Sequence, residues 1–164
     1  MAGNTAQMDN NIYAADGTTV LLSQQNKYTV KSGGNFRGTS GLIELSTDNT
    51  STYTSAAANG ALAGTTVGPT NVKSYYQIGA SEVTNYGLVS TVTVFGASFA
   101  TTSYLTPAAG WPTNPTLNTP YTKTYTVTTE ATAGIPGTSV SQTETRTYQG
   151  VEQVTVPAGT FASR

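Results

Sequence analysis

The sequence predicts an all-β protein built on a curved antiparallel sheet, half-barrel or sandwich-like, with little or no helix. Short runs of β-branched and aromatic residues recur between Gly, Asn, Asp and Pro, which is the pattern of strands and turns. No segment keeps an apolar period of 3.6 residues, so no amphipathic helix is predicted. We expect residues 1–164 to form a single domain, because a chain of this length can bury a core of its own.

The composition excludes several classes of function. Charged residues make up 9% of the chain, against about 25% in an average soluble domain, and the net charge is -1. This leaves no basic surface for nucleic acid. The chain contains neither Cys nor His, so thiol chemistry, disulfides and the commonest general base are absent. No spacing of the eight carboxylates singles out a catalytic pair or a calcium loop. We therefore expect no enzyme, no metal and no cofactor.

In the first half of the chain, turn residues punctuate the predicted strands. Asp16-Gly17 separates two strand-like runs, 11–15 and 18–22, and predicts a hairpin whose two central residues have positive φ. The Ala-, Thr- and Gly-rich stretch Ser51 to Gly68 predicts either a long surface loop, which we favour, or one short helix through 56–58. Clearer strands follow from Val72 onwards.

The second half contains a Pro-rich stretch and then the clearest alternation in the chain. Four prolines, which a central strand does not tolerate, predict a connector at 106–120. Beyond it, 121–129 places Tyr, Lys and Val on one face and Thr on the other. We expect this strand to pair with 139–148, which would bring Lys123 beside Glu144 at an exposed position.

Aromatic residues are the candidate ligand contacts. Tyrosines can line a binding face, or they can pack into the sheet core with their hydroxyls at the rim. A single Trp between prolines can pack into the core or serve as an anchor for a binding partner. Both alternatives stay open at this point. The candidate ligand-binding residues are Tyr75, Tyr76, Trp111, Tyr121, Tyr125 and Val127.

The sequence does not contain a transmembrane segment or a recognisable signal peptide. No run approaches the roughly 20 apolar residues of a membrane helix, and the first residues lack an apolar signal region. The protein is therefore either cytosolic or an exported protein without its signal. The low charge and the abundant Thr, Ser and Asn favour the exported form, which lies in the periplasm, on the outer-membrane surface or outside the cell.

The segment 150–161 carries a more specific motif. Its residues Val156-Pro157-Ala158-Gly159-Thr160-Phe161 resemble a V-P-A-G-T-F motif of uncharacterised bacterial envelope proteins and lipoproteins, and a weaker likeness extends over 72–161. The resemblance implies an extracytoplasmic β-domain similar to the half-barrels of the LolA and LolB lipoprotein carriers, without established catalytic residues. Such proteins usually continue for several strands and often carry a Cys shortly after the Phe. The resemblance therefore predicts that this chain is truncated at its C-terminus.

Two functions follow as expectations. The first is a non-enzymatic exported envelope protein that binds a lipid, another hydrophobic ligand or a surface partner through its curved sheet. The second is a structural filament, pilus or adhesin subunit that associates with itself through its sheet edges by strand donation.

Overall fold

The computed structural model describes residues 3–54, 63–94, 97–132, 134, 136–156 and 159–163. These residues form ten strands and no helix, so none of them belongs to a helix long and apolar enough to cross a membrane. The all-β prediction is confirmed. The strands are β1 (Thr5–Tyr13), β2 (Val20–Phe36), β3 (Thr39–Tyr53), β4 (Thr66–Ile78), β5 (Glu82–Val94), β6 (Ala97–Pro112), β7 (Pro120–Thr129), β8 (Thr138–Thr147), β9 (Glu152–Val156) and β10 (Gly159–Ser163).

Strands β1 to β8 lie in chain order in one antiparallel sheet, and β9 and β10 pair with each other in a second, two-stranded sheet. Each strand of the large sheet is hydrogen-bonded to the strand before it, as short hairpin connections require. The described strands are long, up to 17 residues in β2. The sheet ends at β1 on one side and at β8 on the other.

The two faces of this sheet differ in chemistry. We call the side of β7 that carries Tyr121, Tyr125 and Val127 the tyrosine face, and the opposite side the threonine face. Cross-strand partners share a face, so the pairings extend the tyrosine face across the sheet. Its partly or fully exposed aliphatic residues include Val30, Leu45, Leu88, Leu105, Val127 and Val140.

On the threonine face of β7 and β8, hydroxyl groups pair across the strands. Thr122 and Thr145 lie 2.8 Å apart between their Oγ1 atoms, and Thr124 and Thr143 lie 3.0 Å apart. Such cross-strand Thr pairs contribute about 0.2–1 kcal/mol each. The Thr-rich composition therefore stabilises the pairing itself as well as providing an exposed polar surface.

A small core lies on the threonine face. Phe36, Leu42 and Tyr75 are buried, and the rings of Phe36 and Tyr75 stack with centroids 4.7 Å apart. Gly87, with φ of 144°, lets Phe36 approach the sheet: a Cβ there would lie 2.9 Å from the Phe36 ring and 2.3 Å from the carbonyl oxygen of Ser103. The β2–β3 turn thus packs back over the middle of the sheet.

An ion pair shows that the sheet curves. Arg37, in the β2–β3 turn, pairs with Glu130, just beyond β7, and its guanidinium lies 3.7 Å from the centroid of the Tyr104 ring. Strands β3 and β7 are four positions apart, which is roughly 19 Å in a flat sheet. The contact is possible because the sheet is curved and the turn folds over its threonine face.

The Pro-rich stretch is more strand-like than the sequence suggested. Strand β6 continues to Pro112, so the connection to β7 comprises only 113–119. Pro107 lies where the β5–β6 register shifts, and Pro112 is the last residue of the strand. Both positions suit proline because a bulge or a strand end does not need the amide hydrogen.

Two further turns depart from expectation. Between β1 and β2, Gly17 has a positive φ of 69° and Asp16 does not, so the turn is not the expected two-residue type. Asp16 instead accepts hydrogen bonds from the amides of Thr18 and Thr19. The ends of the stretch expected to form a loop, 51–53 and 66–68, belong to β3 and β4, while 55–62 lie outside the described residues.

Candidate functional site

A cleft opens where β6 separates from β7. The two strands pair only between Ser103–Thr106 and Thr126–Thr129, so no ladder joins the remainder of β6 to the start of β7. Aromatic and proline side chains line the space between them, which has a volume of about 220 Å³. The lining residues are Trp111, Pro112, Pro115, Tyr121, Arg146, Thr147 and Tyr148. We call this space the Trp111 cleft.

A chain of polar contacts forms one side of the Trp111 cleft. The Arg146 guanidinium lies 4.0 Å from the centroid of the Trp111 ring, within the range of a cation–π contact. Its Nε donates to Glu144 Oε1 at 2.6 Å, and the Tyr125 hydroxyl donates to Glu144 Oε2 at 2.9 Å. Both carboxylate oxygens are therefore engaged in holding Arg146 and Tyr125 in place.

These contacts shift the proton affinities of the groups involved. The hydrogen bond from Arg146, and then that from Tyr125, lowers the pKa of Glu144. The same Tyr125–Glu144 bond, with burial, raises the pKa of the Tyr125 hydroxyl. Near neutral pH, Glu144 is an anion, Arg146 a cation and Tyr125 a neutral donor. The cleft thus has an aromatic wall beside a fixed ion pair.

Tyr121, the cross-strand neighbour of Arg146, fixes the β6–β7 connection. Its hydroxyl oxygen accepts a hydrogen bond from the backbone amide of Thr116 at 2.8 Å. Hydrogen bonding from Thr116 lowers the pKa of Tyr121. Because Pro115 precedes Thr116, this bond holds a proline of the connection close to the Tyr121 ring.

The Lys123 side chain on β7 reaches β5. It is the cross-strand partner of Glu144, as the sequence predicted, but its Nζ lies 3.8 Å from Glu82 Oε2 on β5. Glu144 pairs with Arg146 instead. The predicted adjacency is therefore confirmed, while the ion pairs join different partners because the separation of β6 from β7 brings Glu82 within reach of Lys123.

The structure brings together half of the candidate ligand-binding residues. Trp111 and Tyr121 line the cleft, and Tyr125 is connected to it through Glu144. Val127 follows on the same face, paired with Leu105 and Val140, outside the cleft.

The two other tyrosine candidates lie elsewhere. Tyr76 is half-buried on β4 beside Ile43. Tyr75 is buried in the core on the threonine face, 7% exposed, where burial raises its pKa. Of the two alternatives for the tyrosines, Tyr75 therefore takes the core role.

Sequence reasoning missed Arg146 as a site residue, although the signal for it was present. The predicted pairing of β7 with β8 already sets Arg146 opposite Tyr121, and the structure has this register. The contributions of Pro112, Pro115 and Tyr148 depend on the path of the connection, which side-chain alternation does not specify.

Two other clefts have different linings. One of about 360 Å³ lies over β1 to β3 and is lined by polar residues such as Asp9, Gln24 and Thr52. One of about 210 Å³ lies beside the core and is lined by residues that include Arg37 and Tyr104. In the part of the chain that the structure describes, no three His, Cys, Asp or Glu residues are grouped closely enough to hold a metal ion.

Fold and site together define an all-β protein with one curved antiparallel sheet and an aromatic surface cleft. Comparison of the chain with protein-family models, with curated proteins and with solved structures finds no match. The resemblance of the V-P-A-G-T-F segment to envelope proteins therefore remains an expectation.

Proposed function

We propose that the chain is a non-enzymatic protein of the cell envelope that binds an apolar ligand or a surface partner through its curved sheet, with the Trp111 cleft as the anchor point. The observation that carries the proposal is the meeting of Trp111, Tyr121 and Arg146 around one open cleft. Trp, Tyr and Arg are the residue types that dominate binding energy at interfaces. The assignment to the envelope depends on the low charge and on the sequence resemblance.

The size of the cleft favours a particular mode of binding. Its volume of about 220 Å³ is below the roughly 300–1,000 Å³ of sites that enclose a drug-sized ligand. The cleft therefore suits one protruding apolar group, such as a partner's side chain or one end of a lipid. The half-exposed aliphatic residues of the tyrosine face, from Val30 to Val140, would contact the rest of the ligand.

The experiment uses N-phenyl-1-naphthylamine, an apolar probe whose emission increases in a water-poor site. We expect saturable binding to the intact chain and a dissociation constant raised roughly tenfold by Tyr121→Ala, because the cleft loses an aromatic wall. Tyr13→Ala is the matched control, since it removes an exposed tyrosine of β1, far from the cleft in strand order. Equal affinities for the two variants would contradict the proposed anchor point.

A second candidate function is a structural subunit that assembles by strand donation. The outer sides of β1 and β8 have no ladder partner among the described residues, and both strands are almost entirely exposed. Light scattering over a wide concentration range separates the two functions. A growing series of oligomers supports the structural subunit, and probe binding by a species of fixed size supports the binding protein.

A further inference from the structure

The outer edge of β1 combines features that edge strands normally avoid. All nine residues, Thr5–Tyr13, are exposed, and the strand is hydrogen-bonded to β2 along its inner side. On its outer side no described strand continues the ladder. Natural edges are blunted by Lys, Pro or bulges. Strand β1 has a single charge, Asp9, and no Lys, Arg or Pro, and its one register shift, between Ile12 and Tyr13, lies at its C-terminal end. Its backbone groups are therefore available to another strand.

The edge also exposes apolar side chains in a regular order. Met8 is 52% exposed and Ile12 is 48% exposed. Both lie on the tyrosine face of β1, because their cross-strand partners, Asn26 and Leu22, lie on that face of β2. Asn10 lies between them on the same face. An occupant of this edge must accordingly offer apolar groups four residues apart with a small polar group between them.

We infer that the occupant is a second copy of β1, paired antiparallel across a two-fold axis at Asn10. This register sets Met8 opposite Ile12 of the second copy and Ile12 opposite its Met8, while Asn10 faces its own counterpart. Asp9 then lies opposite Asn11, so no like charges meet. The two-fold axis stands perpendicular to the sheet, and both copies keep their tyrosine faces on the same side.

Neighbouring registers are less favourable for reasons visible in the sequence. A two-fold axis at Asp9 would place two carboxylates directly opposite each other, which is destabilising. An axis at Met8 would replace the two Met8–Ile12 pairs by a single Met8–Met8 pair and set Ile12 opposite Asn4. The outer edge of β8 is a poorer partner, because it carries Glu144 and Arg146, whose charges disfavour edge pairing. This dimer uses no residue of the Trp111 cleft.

Cysteine cross-linking tests both the dimer and its register, because the natural chain has no cysteine. In the inferred register, Asn10→Cys places two cysteines directly opposite each other. The separation of their Cα atoms then falls within the 4.4–6.8 Å at which a disulfide can form. Asn11→Cys is the matched control, because it changes the same residue type at an adjacent, equally exposed position whose counterpart lies diagonally too far away. We expect Asn10→Cys to form the disulfide dimer at least about tenfold faster than Asn11→Cys under mild oxidation.

A second pair of variants tests the same edge without oxidation. Ile12→Lys introduces a charge opposite Met8 and should turn the concentrated protein into a monomer by light scattering, whereas Val140→Lys on β8 should leave the dimer intact. Equal cross-linking of the two cysteine variants, faster cross-linking at position 11, or an unmodified chain that is monomeric at high concentration would overturn the inference.

Discussion

At the residue scale, Asp16 shows how a short polar side chain determines a turn. Its carboxylate accepts hydrogen bonds from the backbone amides of Thr18 and Thr19 and from the Thr19 hydroxyl. These bonds, with that from the Thr19 hydroxyl the largest cause, lower the pKa of Asp16 from 3.8 to about 2. The hydrogen bonds of the Asp16 side chain therefore stabilise this turn, which lacks the positive φ at both central residues that the Asp-Gly pair predicted.

The lowered pKa predicts how the β1–β2 turn responds to acid. Because the folded-state pKa lies below the unfolded value, the stabilisation by Asp16 is fully present above pH of about 4 and is lost as the pH falls through about 2. A carboxyl titration followed by NMR should give a midpoint near 2. Thr19→Ala should move this midpoint back toward 3.8, while Thr39→Ala, at the start of β3, should not. A midpoint near 3.8 in the unmodified chain would contradict the turn geometry.

At the scale of elements, the alternation of side chains explains which parts of the fold were predictable. In β7 and β8, residues of the threonine face and of the tyrosine face alternate so regularly that the pairing register follows from the sequence. The predicted register includes Lys123 opposite Glu144. The course of β6 was not predictable in this way, because its prolines gave a strong turn signal. Pro107 occupies a register shift, which only the neighbouring strand β5 reveals.

For the candidate site, the sequence likewise indicated individual aromatic residues but did not indicate the cleft. Trp111, Tyr121 and Tyr125 were recognisable as aromatic residues in unusual positions, and the structure places them in or beside the cleft. The cleft itself exists because β6 and β7 separate after Thr106, a tertiary feature without a local sequence signal. Tyr75 was indistinguishable in sequence from the others, yet it stacks on Phe36 in the core.

A glycine comparison tests the close approach of β6 to Gly87 on β5. Gly87→Ala combines a positive φ of 144° with a Cβ placed 2.3 Å from the Ser103 carbonyl oxygen, so we expect it to cost at least about 3 kcal/mol of unfolding free energy. Gly38→Ala, at φ of 84° with open space around it, should cost only about 1 kcal/mol. Urea unfolding measures both. A loss at position 87 no larger than at position 38 would contradict the close approach.

At the scale of the whole molecule, the protein exposes more surface than a compact chain of its mass. The accessible surface is 10388 Å², whereas a compact monomer of 16.9 kDa has roughly 7,700 Å². The excess agrees with one sheet whose small core lies on the threonine face, while the tyrosine face buries Tyr125 and leaves most of its other described side chains partly exposed. Such a molecule has apolar surface available for a ligand, a partner or a second copy.

Because the two faces differ in packing, truncating a side chain should lower the unfolding free energy more in the core on the threonine face than on the tyrosine face. Phe36→Ala removes a buried ring from the core and should lower the unfolding free energy by about 3–4 kcal/mol. Leu88→Ala removes a half-exposed side chain from the tyrosine face and should cost about 1 kcal/mol or less. Urea unfolding of both variants compares the faces. Equal losses would show that the tyrosine face is as tightly packed as the core.

The most direct test of the proposed function uses Trp111, the sole tryptophan of the chain, as a built-in reporter of the cleft. The measurement is energy transfer from selectively excited Trp111 to N-phenyl-1-naphthylamine during a titration. Binding in the cleft predicts that Trp111 emission falls and sensitised probe emission rises together, with saturation at the dissociation constant found by direct excitation. Probe binding that leaves Trp111 emission unchanged, or no saturable binding, would contradict the proposed site.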